Sequence, residues 1–142
     1  MRVAIGADAT GPLTDMLVAE LRGRGVEVGL HGALADGSNA WASIGRSVGQ
    51  AVVDGRADWG IVCCWTGTGI SIAANKVGGV RAALCADAAT AEGARRWNDA
   101  NVLALSIRAT APAVALEILD AFLRTKSTTD PAERVEIDKL GP

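Results

Sequence analysis

The chain predicts an α/β domain, a parallel β-sheet wrapped by helices on both faces. Three observations carry this. Short apolar runs alternate five times with stretches of helical apolar spacing. Glycine, proline or aspartate punctuates the boundaries. The 142 residues, 49% of them apolar, supply one substantial core and make a second domain unnecessary, so residues 1–142 form a single domain.

Arg2 to Gly6 is the first strand. Gly11-Pro12 opens a helix with Leu13, Met16, Leu17, Ala19 and Leu21 on its apolar positions, ended by Gly23 and Gly25. Val26 to Leu30 is a weaker strand. Trp41 to Val53 is a second helix, carried by Ile44, Val48, Ala51 and Val52 and closed by Asp54-Gly55. A strand runs into Cys64, and a helix follows from about Thr68 to Asn75. Val80 to Cys85 is the fourth strand, Ala88 to Trp97 an alanine-rich helix, and Asn101 to Ser106 the fifth strand. Ala111 to Leu123 is a long helix with Thr110 as its expected cap and Pro112 at its start. Residues 125–142 are polar and read as a C-terminal arm.

Composition excludes several function classes. The formal charge is -2, with 14 basic and 16 acidic residues interspersed, so neither a nucleic-acid nor a membrane-surface partner is expected. No apolar run approaches the roughly 18 residues of a membrane span, and no signal-like segment begins the chain, so a cytoplasmic protein is the expectation. The three cysteines, Cys63, Cys64 and Cys85, match neither a disulfide framework nor a zinc pattern, and no metal site is expected.

The stretch from Trp59 to Lys76, W-G-I-V-C-C-W-T-G-T-G-I-S-I-A-A-N-K, carries the chemistry. It places Cys64 at the carboxyl end of a strand, where ligands collect in open parallel sheets. The glycines flanking Thr68, Gly67 and Gly69, turn the chain into a helix whose first amides can converge on an anion. The spacing fits neither phosphate-loop nor dinucleotide fingerprints, and a developing enediolate oxygen suits the cradle better. The same helix dipole would favour the Cys64 thiolate as base or nucleophile, while burial in the core is the equally weighted alternative. Cys63 and Cys85 belong to the core. Asp8 lies just past a strand's carboxyl end and so faces the crevice, whereas Asp58 precedes a strand and reads as a solvated turn. His31 reads as a satisfied loop histidine. Trp41, Trp65 and Trp97 fall near element junctions, where they wall a pocket, cover a subunit contact or pack in the core, with Trp65 inside the proposed site.

Those residues, together with N-D-A-N-V-L-A-L from Asn98 to Leu105, resemble the ribose-5-phosphate isomerase B family, which includes the galactose-6-phosphate isomerase subunits. The similarity runs from Arg2 to about Val135. It implies a Rossmann-like three-layer α/β/α sandwich with a five-stranded parallel sheet, and a cofactor-free aldose–ketose isomerase. It further implies a homodimer or tetramer whose active sites straddle two subunits. On the resemblance, Cys64 is the base, Thr66 with Gly67, Thr68 and Gly69 forms the enediolate cradle, and Asp8 and Asn98 hold substrate hydroxyls. One branch of the family uses a glutamate where this chain has Ile70.

The departures from the family pattern are specific. D-H-A-G has become Asp8-Ala9-Thr10-Gly11, and H-N-D has become Trp97-Asn98-Asp99, so two histidines are missing, one of them assigned to ring opening. D-Y-P has become Asn39-Ala40-Trp41 or thereabouts, and the glycine after the cysteine is Trp65. Arg108 stands where a phosphate-binding arginine is expected. In the arm only Arg134 remains of the usual basic pattern, with Asp130 in place of the first arginine. Proton transfer keeps its parts while ring opening and phosphate binding lose some, which points to an acyclic sugar phosphate or a non-phosphorylated compound packed on Trp65 and Trp97. The alternatives are one subunit of a mixed assembly with a paralogous partner, and an inactive ligand-binding relative.

Overall fold

A computed structural model describes residues 1–141. The chain runs β1 (Arg2–Ala7), α1 (Pro12–Gly23), β2 (Glu27–Gly32), α2 (Trp41–Val53), β3 (Trp59–Cys64), α3 (Thr68–Asn75), β4 (Ala82–Leu84), α4 (Ala88–Asn98), β5 (Val102–Ser106), α5 (Pro112–Arg124) and α6 (Pro131–Asp138). The five strands form one parallel sheet in the order β2-β1-β3-β5-β4. This is the Rossmann-like three-layer sandwich the sequence predicts.

Strand alternation divides the core in two. Val3, Ile5, Ile61, Cys63, Leu103 and Leu105 point to one face, where Leu17 of α1, Ala91 of α4 and Phe122 of α5 cover them. Ala4, Val62, Cys64 and Ala104 point to the other, under Ile44 and Val48 of α2 and Ile70 of α3. The second face uses smaller side chains and lets its two helices sit close: a Cβ on Gly45 would lie 2.6 Å from the Ile70 carbonyl oxygen. Trp59 and Phe122 meet edge-to-face at 5.9 Å on the first face, so Trp59 is a core residue. No helix among the described residues is long and apolar enough to cross a membrane.

Four local expectations are corrected. The second strand begins at Glu27 and reaches Gly32, so His31 lies in a strand rather than a loop; its Nδ1 is satisfied by Ser47 Oγ at 2.7 Å. The fourth strand is three residues long, Ala82–Leu84: before it the Arg81 N–H donates to the Asn101 side chain instead of a strand carbonyl, and after it the Cys85 N–H makes one last bond to Ala104 O of β5. The cap of α5 is Ala111, without a side-chain bond, and Thr110 is buried instead. The arm contains a sixth helix, α6, with Pro131 in its first turn and Asp130 accepting from Ala132 N–H at 2.8 Å. The acidic residue that displaces an expected arginine is thus a helix cap.

Candidate active site

The chain leaves β1 toward the β2 edge on one face and leaves β3 toward the β4 edge on the other. The loops after β1 and β3 therefore diverge and leave a crevice between their carboxyl ends, the place where open α/β sheets bind ligands. Asp8 stands on one side of it and Cys64 to Gly69 on the other. The two loops touch where Asp8 N–H donates to Cys63 O at 3.4 Å.

The β3–α3 loop is rigid for reasons its residues dictate. Gly67 caps α3 in the left-handed region at φ 77°, and a Cβ there would sit 2.9 Å from the Leu105 carbonyl. No side chain caps α3, and its first recurrent bond is Ser71 N–H to Gly67 O at 3.3 Å. The amides at the start of the helix therefore have no intrahelical acceptor, and Thr68 N–H makes only a long 3.5 Å bond to Thr66 Oγ1. Thr66 Oγ1 and Thr68 Oγ1 are 2.8 Å apart, two exposed hydroxyls beside those amides. The loop is tied to the end of β5: Ile107 N–H donates to Cys64 O at 2.9 Å, and Arg108 N–H and Ser106 Oγ both donate to Trp65 O. Arg108 is thereby fixed at the rim with its side chain exposed.

The two adjacent thiols have different surroundings. Cys63 is fully buried toward α1, α4 and α5, and burial pushes its thiol up to about 12. Cys64 points to the opposite face, packed with Val62 and Ile70, and is 5% exposed at the strand's end. Cys85 is also buried and likewise raised to about 12. Burial holds the Asp8 carboxyl above the ordinary carboxylate range, opposed by a backbone hydrogen bond. Asp58 is exposed and accepts from Arg2 N–H and Arg2 Nη2, far from the crevice at the start of β3.

Trp65 is 62% exposed beside the cradle. Trp41, at the start of α2, also belongs here: a Cβ added to Gly69 would meet its ring at 3.0 Å, so the indole lies against the cradle glycine. Sequence reading named Trp41 among the junction tryptophans without placing it in the site. Its position depends on the α2–α3 packing that glycines permit.

Asn98, Trp97 and Arg134 lie elsewhere. Asn98 ends α4 and precedes β5, so it sits at the amino edge of the sheet, while Cys64 pairs with Ser106 at the carboxyl edge. The four steps from Val102 to Ser106 alone span about 13 Å. Asn98 lines a cavity of about 390 Å³ with Asn75, Arg81 and Leu140. Trp97 is exposed beside it, and Arg134 binds Asp99 at 3.6 Å and Asp138 at 3.5 Å. The chain thus gathers Asp8, Cys64 to Gly69 and Arg108 at one edge, and Trp97, Asn98 and Arg134 at the other.

Residues 3–140 match the family model for ribose/galactose isomerase. The chain belongs to this family. It is 41% identical over 123 residues to ribose-5-phosphate isomerase B of Escherichia coli, covering 86% of this chain and 83% of that protein. It is 37% identical over 125 residues to D-erythrulose-4-phosphate isomerase of Pectobacterium atrosepticum, covering 87% of this chain and 82% of that protein. Its fold superposes on ribose-5-phosphate isomerase B of Clostridium thermocellum with a TM-score of 0.92 at 38% identity, covering 99% and 95% of the two chains. Membership makes it a sugar-phosphate isomerase of the aldose–ketose type.

Proposed function

We propose that the chain interconverts an acyclic aldose phosphate and its ketose through an enediolate, with Cys64 as the base and a second copy of the chain completing each site. The sulfur takes the proton from the carbon next to the carbonyl and returns it to the neighbouring carbon. The hydroxyl proton moves to the former carbonyl oxygen, so atoms and electrons balance without a cofactor. Negative charge that develops on oxygen is met by the Gly69 and Ile70 amides of the α3 start, with Thr66 and Thr68 alongside; such preorganised donors cost no reorganisation when the charge appears. Asp8 accepts from a substrate hydroxyl across the crevice, and Trp41 and Trp65 wall the entry. Asn98, Trp97 and Arg134 come from the amino edge of the second copy, and Arg108 meets the phosphate from the rim.

One observation carries this reading: an uncapped helix start and the Cys64 sulfur share the sheet's carboxyl edge at the strand-order switch. The substrate class follows from what stands at two other positions. Ala9 and Trp97 carry no group able to protonate or deprotonate a ring oxygen, so a substrate that needs ring opening is disfavoured. A tetrose phosphate forms no stable ring that includes its phosphate-bearing carbon's oxygen, and a relative at 37% identity is a D-erythrulose-4-phosphate isomerase.

The test is turnover of D-erythrulose 4-phosphate and D-ribose 5-phosphate by the purified protein and by Cys64→Ala. The expected result is preference for the tetrose and loss of that activity in the variant. Preference for the ribose, or retained turnover in Cys64→Ala, contradicts it.

A further inference from the structure

The amino edge gathers three arginines about one backbone turn. Asp99 is the one non-glycine residue with positive φ among the described residues, at φ 48°, directly after Asn98. Three arginines from three separate parts of the chain converge on it. Arg81 Nη2 reaches Oδ2 at 3.2 Å and Arg81 Nε reaches the Asp99 carbonyl at 2.8 Å. Arg95 Nη1 reaches Oδ1 at 3.2 Å and the Ala100 carbonyl at 2.7 Å. Arg134 Nη1 from α6 lies 3.6 Å from Oδ2.

Arg95 is the unusual member. It is 5% exposed, its guanidinium stacks 4.1 Å over the Trp59 ring, and its Nε has no hydrogen-bond partner. Burial outweighs Asp99 and pulls this arginine below its ordinary pKa. The ion pair is half-buried, with Arg95 covered and Asp99 partly open to solvent, and the attraction of such a pair contributes little net stability after desolvation of the guanidinium. What the pair does fix is conformation: it grips the side chain of Asp99 and the carbonyl of Ala100, the two residues that follow Asn98, and holds the left-handed turn that ends α4. Asn98 and Trp97 are exposed just before that turn.

We propose that Arg95, acting through Asp99, is a positioning residue that orients Asn98 for the substrate site of the second copy, a role that rests on the reading of Asn98 given above. Arg81 and Arg134 hold the same carboxylate from outside and fasten the arm to the same point.

The test uses the full-length protein with Arg95→Met, which fills the same space without charge, and Asp99→Asn, which tolerates the left-handed backbone. Three quantities are measured: Tm, the Asn98 side-chain amide and Trp97 indole signals in ¹H–¹⁵N spectra, and kinetics on D-erythrulose 4-phosphate. Arg95→Met, which leaves the Ala100 carbonyl without its donor, is expected to lower Tm while the domain stays folded at the assay temperature, to shift or broaden the Asn98 and Trp97 signals, and to lower kcat/KM about 10- to 100-fold. Asp99→Asn is expected to move the same signals further. Unmoved Asn98 signals in both variants overturn the proposal, as does a kcat/KM near wild type in folded Arg95→Met. Should wild type fail to turn over the probe, the functional reading fails, while the Asn98 signals still decide the positioning role.

Discussion

The two edges of the sheet solve different problems with different chemistry. At the carboxyl edge the groups are mostly backbone amides, two hydroxyls and a thiol, held by a left-handed glycine and by hydrogen bonds to the end of β5. At the amino edge they are charges, three arginines about one aspartate. The dipoles of the first arrangement suit charge that exists only during a reaction, while Asp8 and Arg108 at its rim are the groups there with charge to hold a substrate. The second suits binding and orientation. The proposed function joins the two edges by placing two copies of the chain edge to edge.

The largest expected effect breaks the carboxyl edge. Cys64→Ala should lower kcat by about 10²- to 10⁴-fold while circular dichroism and Tm report a folded domain. A variant with kcat near wild type removes the thiol from the mechanism. Next, Gly67→Ala forces a side chain into the left-handed region and against the Leu105 carbonyl, so a loss of about 1–3 kcal/mol of stability is expected by chemical denaturation, together with weakened turnover. The matching change at a glycine with open space around it, Gly11→Ala, is the control.

Specificity comes after these. Trp65→Gly restores the small residue usual in the family and opens the entry, so kcat/KM for D-ribose 5-phosphate should rise about 3- to 10-fold relative to D-erythrulose 4-phosphate. An unchanged ratio means the indole does not meet substrate.

The smallest effect is a pH dependence. Burial raises the Asp8 carboxyl above its ordinary value of 3.8, so the folded state binds this proton more tightly than the unfolded chain does. Ionised Asp8 therefore costs stability at neutral pH, and that cost is relieved as pH falls through the raised folded-state value toward 3.8. Asp8→Asn should raise Tm slightly at neutral pH, and the gain should vanish in acid. A gain that is constant with pH would contradict the shift.

Much of this architecture was legible in the chain because local signals agreed. Helices α2 and α3 have the bounds their apolar spacing predicts, and Cys64 and Gly67 to Gly69 fall at the strand-to-helix turn. Helix α6 was missed although Asp130-Pro131 with Glu133 is a helix-start signature, because the surrounding residues are polar and the helix buries a single side chain, Ile137. Of the Asp99 cluster only the Arg95–Asp99 spacing, four residues apart at the end of α4, is local; the convergence of Arg81 and Arg134 was not readable. Arg81 and Arg134 are distant from Asp99 along the sequence and meet it only through the β4–β5 pairing and the packing of the arm. Trp41 was half readable: its junction position was evident, but its contact with Gly69 needs the close approach of α2 to α3.

The account stands most directly on whether the two edges, in different copies, make one site. Cys64→Ala and Asn98→Ala proteins, each with little activity alone, are unfolded together, refolded as a mixture and assayed on D-erythrulose 4-phosphate. A site shared across a twofold interface should restore about a quarter of wild-type activity, since half the dimers are mixed and each mixed dimer holds one intact site. Activity no greater than the sum of the two parents would contradict it.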